Sequence, residues 1–134
     1  MKYIKEFFEE MGDFIFLFFA FVIIFISLQF RVIIVDGNSM YPTLKDGDIG
    51  IVHITKNFKD KDIILLDTKD AGIGADTIIK RYYDDLSTSK EVYVLGDNTE
   101  NSKDSADFGR LDRKSVVGNL IIFYSFEQHK IVCL

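Results

Sequence analysis

Ser39 has the setting in this chain that most suggests chemistry. It stands in Asp36-Gly37-Asn38-Ser39-Met40-Tyr41-Pro42-Thr43-Leu44, where Gly37 and Pro42 impose special backbone geometry. A hydroxyl on such a loop is either an ordinary turn serine or a nucleophile presented to a substrate carbonyl, and a nucleophilic serine needs a base to take its proton. Lys80, in Thr77-Ile78-Ile79-Lys80-Arg81-Tyr82-Tyr83, has two readings of its own. On the solvated face of an edge strand its amine stays charged. Buried among Ile and Tyr, the amine is desolvated, its pKa falls, and the neutral form is a competent general base. A third stretch, Gly96–Gly109 (GDNTENSKDSADFG), crowds glycine, carboxylates and hydroxyls directly after a β-like run. It is either a polar loop held by Asx and Ser turns or a source of a hydroxyl to orient the lysine and of carboxylates to pin arginines.

Other chemistries find less support. His53 and His129 lack metal-ligand spacing to each other or to a Cys or carboxylate cluster. A Ser-His-Asp triad stays open, with no motif behind it. Asp97-x-Thr99 and its neighbours lack the glycine and terminal glutamate offsets of a calcium loop. Cys133 is the one cysteine; it excludes an internal disulfide and a multi-cysteine metal site, and reads as a small hydrophobe in a last strand. A net charge of −5 argues against nucleic acid, which needs a basic face. No cofactor or metal is expected.

The elements that must position Ser39 and Lys80 follow from the apolar pattern. The chain has 134 residues, 48% of them hydrophobic, with 13 Phe concentrated near the N-terminus. Phe14–Phe30 (FIFLFFAFVIIFISLQF) carries no charge and is close to the shortest run that spans a bilayer. It is apolar on every face and the remaining domain is small, which together argue against a buried core helix. The run is too long for a signal-peptide core and lacks a small-x-small cleavage pattern after it, so it reads as a retained anchor closed by Arg31. The charge balance of the flanks leaves its orientation open. Short β-like runs follow at 32–35, 49–54, 63–66, 77–83, 91–95, 116–124 and 130–134, separated by turn residues. Their spacing predicts a mostly β domain, a small barrel or sheet, with 69–75 and 84–90 as surface loops. The expected division is an anchor over 1–31 and a β domain over 32–134.

The three stretches together resemble bacterial type I signal peptidases, the membrane-anchored Ser–Lys endopeptidases of the S26 class. The signature Ser-Met-x-Pro-Thr stands as Ser39-Met40-Tyr41-Pro42-Thr43. Asp46-Gly47-Asp48-Ile49 is similar to the next family segment, Ile79-Lys80-Arg81 to the one carrying the base, and Gly96-Asp97-Asn98 through Ser102, Asp104-Ser105 and Gly109 to the last. All four come in family order behind a single anchor. The resemblance implies a signal-peptidase-like β fold and a set of roles. Ser39 would be the nucleophile, Lys80 the general base, and Ser102 the hydroxyl that orients the amine. The Ser39 N–H would serve the oxyanion. Met40 would pack under the site, Pro42 would fix the turn, and Asp97 with Arg81 would brace the lysine. Gly37 stands where some relatives carry a further oxyanion hydroxyl. Thr99 and Ala106 stand where many relatives carry arginine, so Asp104 is expected to lack its ion-pair partner.

The implied activity is removal of signal peptides from secretory preproteins after small-x-small sites. The chain would act as a monomer in the cell membrane, with its N-terminus cytoplasmic and its β domain outside. The implied partners are preprotein signal peptides and the lipid membrane. Two other functions compete: an inactive family member serving as a membrane-anchored assembly or chaperone factor, and a Ser–Lys self-cleaving regulator with a related β fold.

Overall fold

The computed structural model describes the backbone of residues 2–134 and side chains from Met11 onward; the charged flank at Lys2, Lys5 and Glu6 lies outside the described side chains. The apolar run forms helix α1, Lys2–Gln29. Within it Met11–Gln29, 19 residues, is long and apolar enough to cross a membrane, and none of that window is buried. At a rise of about 1.5 Å per residue it spans roughly 28 Å, close to a hydrocarbon core. The chain divides into two compact units at Phe30/Arg31.

The second unit is a curled antiparallel sheet. Strand β1 (Phe30–Ile34) begins directly after α1, earlier than the run at Val32 predicts. It is followed by β2 (Ile49–Ile54), β3 (Ile63–Asp67), β4 (Thr77–Tyr83), β5 (Glu91–Leu95), a one-turn helix α2 (Ser105–Phe108), β6 (Leu111–Asp112), β7 (Val116–Ser125) and β8 (Lys130–Cys133). The spatial order is β1-β2-β7-β3-β4-β5-β6, with β8 also on β7. The ten residues of β7 organise this order. One edge pairs with β2, while the other pairs first with β3 through Val116–Asn119 and then with β8 through Ile122–Ser125. Irregularities in register at Ile51/Val52 and Leu65/Leu66 are the kind of defect that bends a sheet. The predicted loops at 69–75 and 84–90 each contain a single 3-10 turn, and the 96–109 stretch contains α2, which is too short to show a helical period.

Strand β3 explains why the core has two halves. Its side chains alternate between faces, and both faces are buried. Ile63 and Leu65 join Val35, Met40, Leu44, Val52, Leu120 and Phe123. Ile64 and Leu66 join Phe58, Tyr82, Val92, Val94, Leu111 and Val116. The unbroken run Ile-Ile-Leu-Leu is the sequence signature of such a doubly covered strand. Cys133 lies in the last strand as expected, but it is exposed.

Candidate active site

The Ser39 loop is built from backbone hydrogen bonds. Gly37 adopts φ +83°, a left-handed conformation that favours glycine, and its N–H donates to Asp46 Oδ1 at 2.7 Å. Tyr41 N–H donates to the Asn38 carbonyl at 3.1 Å, and Leu44 N–H to the Met40 carbonyl at 3.0 Å. The Tyr41–Pro42 peptide is cis. Met40 and Leu44 drive the loop into the first core half. Ser39 is thereby held at the mouth of the domain while its neighbour Met40 is buried.

Lys80 comes from β4, opposite Ile64 on β3. Strand alternation puts it on the side shared with Ile78 and Tyr82. It is 4% exposed, and its Nζ donates to Ser39 Oγ at 2.5 Å. The solvated edge-strand alternative is therefore excluded. Burial pushes the Lys80 amine below its ordinary pKa. The negative charges of Asp104 and then Asp97 pull the other way and only partly offset burial. The group at the Ser39 hydroxyl is this amine. His53 is on β2 opposite Asn119, and His129 is in the turn between β7 and β8.

The stretch after β5 forms the third wall. Asp97 holds Arg81 with two prongs, Nε to Oδ1 at 2.7 Å and Nη2 to Oδ2 at 2.6 Å. The Thr43 hydroxyl donates to the same carboxylate at 2.5 Å. Burial alone would raise the Asp97 carboxyl. The hydrogen bonds from Arg81 and Thr43 outweigh it and hold the carboxyl below the usual range. One ion pair thus ties the Ser39 loop, through Thr43, to the strand that carries Lys80. Arg81 Nη1 also donates to the Lys61 carbonyl at 2.7 Å. Thr43 was not among the expected positioning residues. Its hydroxyl three residues before Asp46 carried no separate signal, because its partner lies 54 positions away.

The hydrogen bond expected from Ser102 to Lys80 is not formed. The Ser102 hydroxyl is buried without a hydrogen-bond partner. It is seated against Gly96: a Cβ built on Gly96 would fall 2.0 Å from Ser102 Oγ and 2.5 Å from the Ser39 carbonyl oxygen. Serine hydroxyl, glycine backbone and nucleophile loop meet at one point, and only glycine fits there. Asn98 closes the junction, its N–H donating to the Ser39 carbonyl at 3.0 Å and its side-chain amide to the Asn38 carbonyl at 3.0 Å.

Asp104, expected to lack an arginine, is satisfied another way. Its carboxylate accepts Gly96 N–H at 2.9 Å and Ala106 N–H at 3.1 Å. It caps α2 in a reciprocal box with Asp107, a motif that satisfies orphan amides at a helix start. Ser105 Oγ accepts Val94 N–H at 3.0 Å. Backbone amides therefore do the bracing.

An open cleft of about 640 Å³ runs away from Ser39 and Lys80. Ile33 and Val35 line one side, Thr77 to Ile79 the other, with Leu65 between them. Its walls are the two ends of the order β1-β2-β7-β3-β4. Pairing of β4 with β5 starts only at Arg81, so the Thr77–Lys80 half of β4 has no second strand beside it. Residues 20–121 match the family model described as Peptidase S24-like. The domain is thus of a serine-peptidase type. No curated protein matches the chain.

Proposed function

The chain belongs to the Peptidase S24-like family, and from that premise we propose that it is a membrane-anchored signal peptidase of the related S26 class, cutting preproteins by a Ser39–Lys80 dyad. The single observation that carries this reading is the 2.5 Å contact between a buried lysine amine and a loop serine hydroxyl. In the neutral form Lys80 accepts the Ser39 proton as Oγ attacks the scissile carbonyl. The ammonium so formed gives its proton to the leaving amine, and water then releases the acyl group from Ser39 by the same base. The Ser39 N–H supplies the oxyanion donor, with no side-chain donor from Gly37. Ser102 has an unspent hydroxyl at the junction and is the group available to orient the amine once a peptide is bound.

The substrate enters as an extra strand. The free edges of β1 and of Thr77–Lys80 offer main-chain groups to a peptide lying between them, and apolar residues in the cleft floor receive small side chains. The apolar α1 window holds enzyme and signal peptide in one membrane and raises their effective concentration. The N-terminus is then cytoplasmic and the β domain outside. The test is cleavage of a labelled preprotein carrying an Ala-x-Ala site by the detergent-solubilised full chain. Ser39→Ala and Lys80→Ala should each remove cleavage; turnover retained in both would end the dyad reading.

The family match itself favours a second reading, self-cleavage by the same dyad. It predicts that the purified chain trims itself without added substrate at a rate independent of dilution. Capture of preprotein with no cleavage of any kind would favour the assembly-factor role.

A further inference from the structure

Asp104 is 6% exposed, and its carboxylate accepts backbone amides, among them those of Gly96 and Ala106. None of the ion pairs among the described residues includes it. A buried negative charge of this kind is costly unless a cation lies near. The other carboxylate close to the site, Asp97, has a cation of its own in Arg81. The groups around Lys80 can be taken element by element. β3 presents Ile64, and β4 itself presents Ile78 and Tyr82. The nucleophile loop presents the neutral Ser39 hydroxyl, and Asp36 and Asp76 lie at the exposed rim of the cleft. The segment after β5 contributes Asp97, bound to the neighbouring Arg81, and Asp104, which is joined to the Ser39–Lys80 pair through Gly96. Asp104 also holds Gly96, whose backbone abuts the Ser39 carbonyl.

We propose that Asp104 is the counter-charge of Lys80: a positioning residue that sets the lowest pH at which the site works, in addition to capping α2. The inference rests on the dyad reading above. Its negative charge favours the ammonium over the amine, so it holds Lys80 more basic than burial alone would leave it. The consequence is a stronger base that is available over a narrower pH range. Asp104 touches neither substrate nor the reacting atoms; it acts through Lys80.

The discriminating variant is Asp104→Asn, because Asn caps helices about as well as Asp while carrying no charge. Two measurements are made on the full chain in detergent. The first is the titration of Lys80 by NMR with carbon-13 at lysine Cε, in a Ser39→Ala background, which needs no substrate. The second is the pH profile of kcat/KM for preprotein cleavage with Ser39 intact. Asp104→Asn should lower the Lys80 midpoint by on the order of one pH unit. The acidic limb of the rate profile should move down by the same amount. One pH unit below the wild-type limb, the rate relative to each protein's own plateau should then rise several-fold, up to about tenfold. The plateau itself should fall, since a weaker base is a poorer proton acceptor. Asp107→Asn, which removes the exposed partner of the same capping box, should leave both midpoints where they are. Asp104→Ser is a second neutral cap for use if the Asn variant does not fold. Midpoints in the neutral-cap variant that stay at the wild-type value, or that rise, overturn the proposal. Absence of cleavage at every pH would overturn the peptidase reading and leave the NMR titration to judge this one.

Discussion

A lysine amine without a carboxylate in direct contact is an unusual thing to bury, and its burial decides what Lys80 can do. The folded pKa lies below the ordinary value of 10.5 because desolvation penalises the charged form. Between those two values the unfolded chain holds more protons than the folded one, so stability rises with pH through that window and is lowest below it. Lys80→Met keeps the shape and removes the penalty. It should leave the fold as stable or stabilise it by up to about 2 kcal/mol near neutral pH, with a difference that shrinks as pH approaches 10.5, while cleavage falls by at least about 10²-fold. Thermal melts at several pH values, paired with cleavage assays, read both effects. Asp97 has the opposite sign. Its carboxyl is held below the usual range by Arg81 and Thr43, so its contribution is present above the ordinary value of 3.8 and disappears as pH falls through the folded value. Asp97→Asn should cost about 1.5–3 kcal/mol at neutral pH and flatten the loss of stability on acidification, as measured by denaturant midpoints across the acid range.

At the scale of elements, the site is a junction of three segments that are far apart in sequence. The nucleophile loop is fixed by burial of Met40 and Leu44. β4 is fixed by pairing with β3. The segment after β5 is fixed to the loop by Asp97 and Asn98 and to β4 by Asp97, while Asp104 holds the segment's own Gly96. Gly96 is the contact point, and Gly96→Ala would drive a methyl group into Ser102 and the Ser39 carbonyl. Overpacking of this kind costs about 1–3 kcal/mol and should displace the serine loop. Activity should therefore fall further than the change in melting temperature accounts for, with the loss in kcat more than in KM. Ser102→Ala removes the buried hydroxyl and leaves no new volume to fit. Its fold should be unperturbed, and a drop in kcat would identify the hydroxyl as an orienting group.

At the scale of the molecule, a helix whose apolar window is unburied is followed in the chain directly by the first strand, with no linker between Gln29 and Phe30. Large apolar side chains along the helix, Phe14, Phe16, Phe21 and Ile24 among them, are all exposed, a surface that lipid can cover. The full chain should sediment with membranes and resist alkaline extraction. Placing two charges in the span by Phe21→Asp with Ile24→Asp, at about 2.5–3.5 kcal/mol each, should release it. The free strand edges lie along the cleft that ends at Ser39 and Lys80. On the proposed reading, a peptide that completes the sheet would be carried to the dyad by main-chain pairing, with side-chain recognition left to the floor.

Several features were determined by the chain's residues alone. A seventeen-residue run without charge predicts a long apolar helix because no other backbone form satisfies itself in such a segment. Alternating and continuous apolar runs predict strands, and the order of four motifs around Ser39, Lys80 and Gly96–Gly109 points to a Ser–Lys site. Local pattern could not decide whether Lys80 faces water or the core, since either side of a strand has the same composition nearby; the pairing of β4 with β3 and the packing of the 96–109 segment decided it. Nor could it show that Asp104 would be held by amides, that Thr43 would reach Asp97, or that the Ser102 hydroxyl would lie against Gly96 without a hydrogen-bond partner. Each of those depends on where a distant segment comes to rest, and only closure of the curled sheet brings Ser39 into contact with both Lys80 and the segment after β5.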